Sequence, residues 1–122
     1  MQGSFGNAAP VAVPAAAGVA VASTVVVIGQ ATVPMDLEVS VDLAGVAPSR
    51  LRLVLADPNG SEAVVWDGAT ASGPMPARLV ALGNISRDDT INGTWTLTAT
   101  TLSAGAPGVL VGWQLHVTSR WD

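Results

Sequence analysis

The stretch 91-INGTWTLTATTLSAGAPGVLVGWQLHV-117 carries the fold. In 94-TWTLTAT-100, Trp95, Leu97 and Ala99 share one face and four threonines the other. In 109-VLVGWQLHV-117, Val109, Val111, Trp113, Leu115 and Val117 share a face, opposite Leu110, Gly112, Gln114 and His116. Alternation with a period of two marks a strand buried on one side. Small residues, 103-SAGAPG-108, separate the two runs. They read as a hairpin whose apolar face packs on a second sheet.

The pattern recurs upstream. In 36-DLEVSVDL-43, Leu37, Val39, Val41 and Leu43 alternate with Glu38, Ser40 and Asp42. In 51-LRLVLADPNGSEAVVW-66, Leu51, Leu53 and Leu55 alternate, Asp57-Pro58-Asn59-Gly60 turns the chain, and 62-EAVVW-66 returns. Proline presets φ, and Asn and Gly tolerate positive φ, so this is a second hairpin. A short strand is expected around 78-RLVAL-82, and a turn-rich loop from Asp88 to Gly93. Pro74 and Pro76 exclude a helix at the start of the middle segment, 67–93. Short strands punctuated by turns predict an all-β, two-sheet, jelly-roll-like β-sandwich. Leu53, Leu55, Trp95, Leu97, Trp113 and Leu115 are the expected core.

The chain has 122 residues, enough for one domain, with the sandwich expected over 21–122. Residues 1–20 read as an extended arm. The segment 8-AAPVAVPAAAGVAVASTVVVIG-29 is uncharged, but Pro10 and Pro14 and its Ala-rich composition disfavour a membrane helix. No basic stretch precedes it, as a signal peptide would require. Phe5, Val11 and Val13 of the arm, with Trp121 near the other end, are the candidate partner-binding residues.

Composition limits the chemistry. The chain is 49% hydrophobic and 11% charged, with a net charge of −4 and no lysine. Five scattered arginines make no basic patch, which excludes a nucleic-acid groove. No basic amphipathic face seeks anionic lipid. Without cysteine there is no disulfide, thiolate zinc site or cysteine nucleophile. His116 is the sole histidine, and no serine stands in a nucleophile-elbow context, so an enzyme is not expected. Asp57, Asp67, Asp88 and Asp89 are weak calcium candidates, because that ion wants six to eight oxygens while aspartates also cap turns. The expected cofactor set is none. The tryptophans suggest a sugar platform, but Trp95 and Trp113 alternate in phase with aliphatic residues.

The motifs 49-SRLRLVLADPNGS-61, 92-NGTWTL-97 and 108-GVLVGWQL-115 resemble the P domain, or homo B domain, that follows the catalytic domain of subtilisin-like proprotein convertases and some secreted bacterial proteases. The resemblance covers roughly residues 20 to 117. It implies a galactose-binding-like jelly roll and a non-catalytic role beside a neighbour. Three positions depart from the family pattern: Arg50, where the family usually has Asp, Leu43-Ala44 for His-Thr, and Thr100-Thr101 where acids often stand. A family-type calcium site is therefore not expected.

The reading that follows is a structural or interaction module docking on a larger assembly of decoration, cap or fibre type. Two alternatives are an accessory P domain of a secreted protease and a carbohydrate-binding or adhesin-like module. The expected partners are proteins, a second copy or a particle among them. The expected setting is extracellular or on the surface of a virion or particle.

Overall fold

A computed structural model of the chain describes residues 2–31, 33–71, 74–80 and 91–120. Two antiparallel sheets pack face to face, with a core of aliphatic side chains and tryptophans between them. The strands are β1 (Gln2–Asn7), β2 (Val11–Val13), β3 (Ala20–Val27), β4 (Val33–Ala44), β5 (Leu51–Ala56), β6 (Glu62–Asp67), β7 (Leu79–Val80), β8 (Gly93–Thr101) and β9 (Gly108–Arg120). One sheet has the order β1-β9-β4-β7, with β2 also paired to β9, and the other the order β3-β8-β5-β6. This is the expected all-β sandwich. A single 3-10 turn, Pro48–Arg50, leads into β5.

The core follows the alternation. Leu53, Leu55, Trp95, Leu97, Trp113 and Leu115 are all buried, with Val25, Val27, Leu37, Val39 and Leu51. The β5–β6 hairpin forms as expected. Asp57 accepts the Asn59 and Ser61 amides on Oδ1 at 2.9 and 2.8 Å, and Gly60 adopts φ +88°. Only glycine takes that value without strain.

The opening stretch is folded differently from its reading. β8 and β9 do not pair with each other. β8 sits between β3 and β5, and β9 between β1 and β4, in opposite sheets. The loop between them crosses the sandwich. Both strands bury one face, and period two identifies that face without identifying the strand alongside. Leu110 is also buried rather than outward. Asp42 pairs with Gly112 and Leu43 with Leu110, so Val111 is an extra residue in β9. That bulge reverses the phase of the strand before it.

Of the segment expected to form an arm, Gln2–Asn7 and Val11–Val13 are strands whose neighbour is their own chain, and residues 14–19 form a turn. β1 pairs with β9 from Gln2↔Thr118 to Asn7↔Trp113, and β2 continues along the same strand to Val13↔Gly108. Val13 is in the core, and Phe5 and Val11 pack against it half-buried. These three expected partner contacts are therefore used inside the fold. Of the short strand expected over 78–82, Leu79 and Val80 form β7. Residues 81 and 82, with Asp88, Asp89 and Trp121, lie outside the described residues.

Candidate functional site

The two outer faces differ in chemistry. On the β1-β9-β4 face, alternation sends Ser4 from β1, Gln114, His116 and Thr118 from β9, and Asp36, Glu38, Ser40 and Asp42 from β4 away from the core. Two shallow hollows lie there. One, of about 530 Å³, is floored by Gly112 and edged by Asn7, Ser40, Asp42 and Gln114. The other, of about 510 Å³, gathers Ser4, Asp36, Glu38, Arg78 and His116.

His116 stands between them, held on both sides. Its Nδ1 is 2.8 Å from Ser4 Oγ, and its Nε2 is 2.8 Å from Ser40 Oγ. In the neutral ring, one hydroxyl donates to the bare nitrogen and the other accepts from the N–H. Burial, and then the Arg78 guanidinium, hold His116 below its ordinary value of 6.5, against a smaller upward pull from Glu38. A serine beside a histidine invites a catalytic reading. A triad, however, needs a carboxylate on the second ring nitrogen to fix the tautomer and carry the imidazolium. Here that nitrogen meets another hydroxyl. Glu38 pairs with His116 across β4 and β9, but no hydrogen bond joins them. Among the described residues, no carboxylate completes a triad with this imidazole.

This clamp has a pH signature. A histidine depressed in the folded state stabilises the fold above the unfolded value of 6.5. That contribution is lost as pH falls through the folded value. His116→Gln should therefore flatten the rise in urea midpoint as pH increases through the range just below 6.5. A wild-type profile already flat there would show that the ring does not sense its surroundings.

The opposite face, on β3-β8-β5-β6, is nearly uncharged. Thr94, Thr96, Thr98 and Thr100 run down β8, flanked by Ala22 and Thr24 of β3 and Val54 of β5. Val26 and Val64 are 60% and 50% exposed at its two sides. Among the described residues, charge enters through Glu62 and an Arg52–Asp67 ion pair of 3.3 Å, near the ends of β5 and β6.

Of the sequence-derived metal candidates, the two that are described, Asp57 and Asp67, are engaged by local structure. Asp57 is buried in its turn, and Asp67 Oδ1 accepts the Ala69 amide at 3.0 Å. Among the described residues no three acidic or histidine side chains group as metal ligands. The family-type positions hold something else. Arg50 is buried, and its guanidinium donates to the carbonyls of Ser103, Ala106, Pro14 and Ala15 at 3.0, 2.6, 3.3 and 3.1 Å. Thr101 Oγ1 donates to the Ala16 carbonyl at 2.7 Å and accepts the Val19 amide at 2.9 Å. Both close the 14–19 segment onto the sandwich.

The tryptophans leave no sugar platform among the described residues. Trp95 donates to the Ile91 carbonyl at 2.7 Å, Trp113 to Ser23 Oγ at 3.0 Å and Trp66 to the Pro48 carbonyl at 2.9 Å, all three buried. Sequence reasoning missed the Ser4–His116–Ser40 clamp. Ser4 is 112 residues from His116, and only the β1–β9 pairing joins them.

Fold and site together define an all-β sandwich module with one polar and one neutral face. Among solved structures, the chain matches the serine protease of Aeromonas sobria with a TM-score of 0.70 and 16% identity, over 98% of this chain and 26% of that one. It matches a structure of the complex of that protease with its chaperone at 0.69 and 18%, over 96% of this chain and 26% of that one. It thus spans about a quarter of the length of those chains. FlhE matches at 0.57 and 12% identity, over 98% of this chain and 97% of that one. These likenesses show the sandwich fold. No family model matches the chain, and no curated protein does.

Proposed function

We propose that this chain is a non-catalytic accessory module that docks on a partner protein through the outer face of β3-β8-β5-β6. The observation that carries the reading is the chemistry of that face. Among the described residues, rows of Thr, Ala and Val cross four strands, with charge confined to Glu62, Arg52 and Asp67 near the ends of β5 and β6. Exclusion of charge from the centre and a polar margin are how protein interfaces are built. The partner surface this face fits is flat and uncharged. The His116 face is solvated and acidic, and its clamped imidazole supports no nucleophile.

Site-specific photo-crosslinking in the producing organism tests this. A crosslinker at Thr98 should capture one defined protein, and a crosslinker at Gln114 on the polar face should not. With that protein in hand, Val54→Glu should weaken binding about tenfold or more, since it places an unpaired charge in a desolvated patch. Capture from Gln114 alone would move the docking surface to the other face.

A second reading is an accessory role of P-domain type beside a protease. It is favoured by the match to part of the Aeromonas sobria protease, whose solved complex contains a chaperone. The setting would then be extracellular, as the resemblance to the P domain of secreted proteases implies. In either reading calcium is dispensable, because Arg50 and Thr101 occupy the positions where the family resemblance puts acids.

A further inference from the structure

We propose that β3 is a strand-addition edge that takes β3 of a second copy of this chain, antiparallel about a two-fold axis through Thr24. Among the described residues, β3 is a terminal strand of its sheet, paired only with β8. The Val19 carbonyl accepts the Thr101 amide, so the odd-numbered residues turn their backbone toward β8. The Thr24 carbonyl accepts instead from the Asn7 side chain, at 2.9 Å, on the other side. Ala20, Ala22, Thr24 and Val26 therefore present their N–H and C=O groups outward. All four are exposed.

This edge lacks the usual protections, which are charge, proline, a bulge or brevity. It is eight residues long, has no register shift against β8, and contains neither proline nor charge. No Asp, Glu, Lys, Arg or His occurs before Asp36. The other outer strands are guarded. β6 carries Glu62, Asp67 and a bulge at Val65, since Leu53 pairs with Trp66 and Val54 with Val64. β7 is two residues long. β1 contains Gly3 and Gly6, and Pro10 interrupts its continuation into β2.

The edge is complementary to itself. With the axis at Thr24, the outward-facing positions pair as Thr24 with Thr24, Ala22 with Val26 and Ala20 with Ile28. Val26 and Ile28, at 60% and 69% exposed, then each cover an alanine. No like charges meet, which removes the usual cost of pairing a strand with its own copy. Asn7 exchanges its bond to the Thr24 carbonyl for solvent as the partner's amide replaces it. The product is one continuous eight-stranded sheet with a neutral threonine-rich face. This pairing is carried by the backbone edge of β3 and leaves the β8 and β5 part of the outer face open, so it does not depend on docking on another protein.

Sedimentation of the chain over a range of concentrations reads the outcome. The mass should rise from one chain to two, and the amides of Ala22, Thr24 and Val26 should gain hydrogen-exchange protection over the same range. The double variant Val26→Lys/Ile28→Lys alters exposed side chains only, and should stay at the mass of one chain with an unchanged melting temperature. Thr24→Pro removes an outward N–H and should do the same. Val64→Lys on β6 should still dimerise. A wild-type chain of single mass at every concentration would overturn the proposal. So would a dimer that survives the lysine pair.

Discussion

Arg50→Ala should cost on the order of 3 kcal/mol, because a buried guanidinium making four charge-assisted bonds to carbonyls is lost at once. Over 122 residues that corresponds to a melting temperature lower by ~12 °C. The guanidinium ties three segments together: the 14–19 turn, the start of β5 and the β8–β9 crossing. Among the described residues the only ion pair is Arg52–Asp67, and no described carboxylate neutralises Arg50. Its charge is dispersed over carbonyl dipoles instead. Lysine cannot replace it, since a point ammonium has no planar fork to reach the Pro14 and Ser103 sides together.

Gly105 gives the decisive control. A Cβ there would lie 2.6 Å from Arg50 Nε. Gly105→Ala should therefore destabilise the wild type by displacing the guanidinium, yet cost little in an Arg50→Ala background. Measured as a double-mutant cycle from urea midpoints, the two changes should be strongly non-additive. Additive losses would mean that Arg50 does not occupy the cage described.

Arg50 also shows where the sequence was legible and where it was not. Its departure from the resembling family signalled the loss of an acid. Its positive role was invisible, because its acceptors are backbone carbonyls, which any sequence supplies. The alternation of Leu37 and Val39 or of Leu53 and Leu55 was fully legible, because burial of one strand face is a local property. The turn at Asp57 was legible for the same reason. Strand partnership was not. β8 and β9 both turn a tryptophan and leucines inward, and that pattern fits neighbours in one sheet as well as strands facing each other across a core. The Gly- and Ser-rich β1 gave no alternation strong enough to mark a strand, so its pairing with β9, and with it the seat of His116, stayed hidden. The bulge at Val111 moved Leu110 inward by inserting one residue, which no period-two count detects.

Trp95→Ala should be the most damaging single change, at about 3–5 kcal/mol from truncation of a large buried side chain. That is a large share of the 5–15 kcal/mol that holds a typical domain together. The residue is 1% exposed, on β8, an inner strand of its sheet. Two terms add. The first is the cavity, which a sandwich closes poorly because strands on both sides fix β8 in place. The second is the Ile91 carbonyl, which loses its 2.7 Å bond from the indole N–H. Trp95→Phe separates them: it keeps most of the volume, drops only the bond, and should cost less than half as much. Trp113→Ala on the opposite sheet removes a comparable volume, but the acceptor it strands is the Ser23 hydroxyl oxygen, whose lone pairs can rotate toward another donor. Trp113→Ala should therefore fall below Trp95→Ala. Urea unfolding followed by far-ultraviolet circular dichroism gives the order, with midpoints moving and the slope unchanged if the native state keeps its compactness. A Trp95→Ala chain with the wild-type midpoint would mean that β8 does not bury the face assigned to it, and the arrangement of both sheets would then need revision.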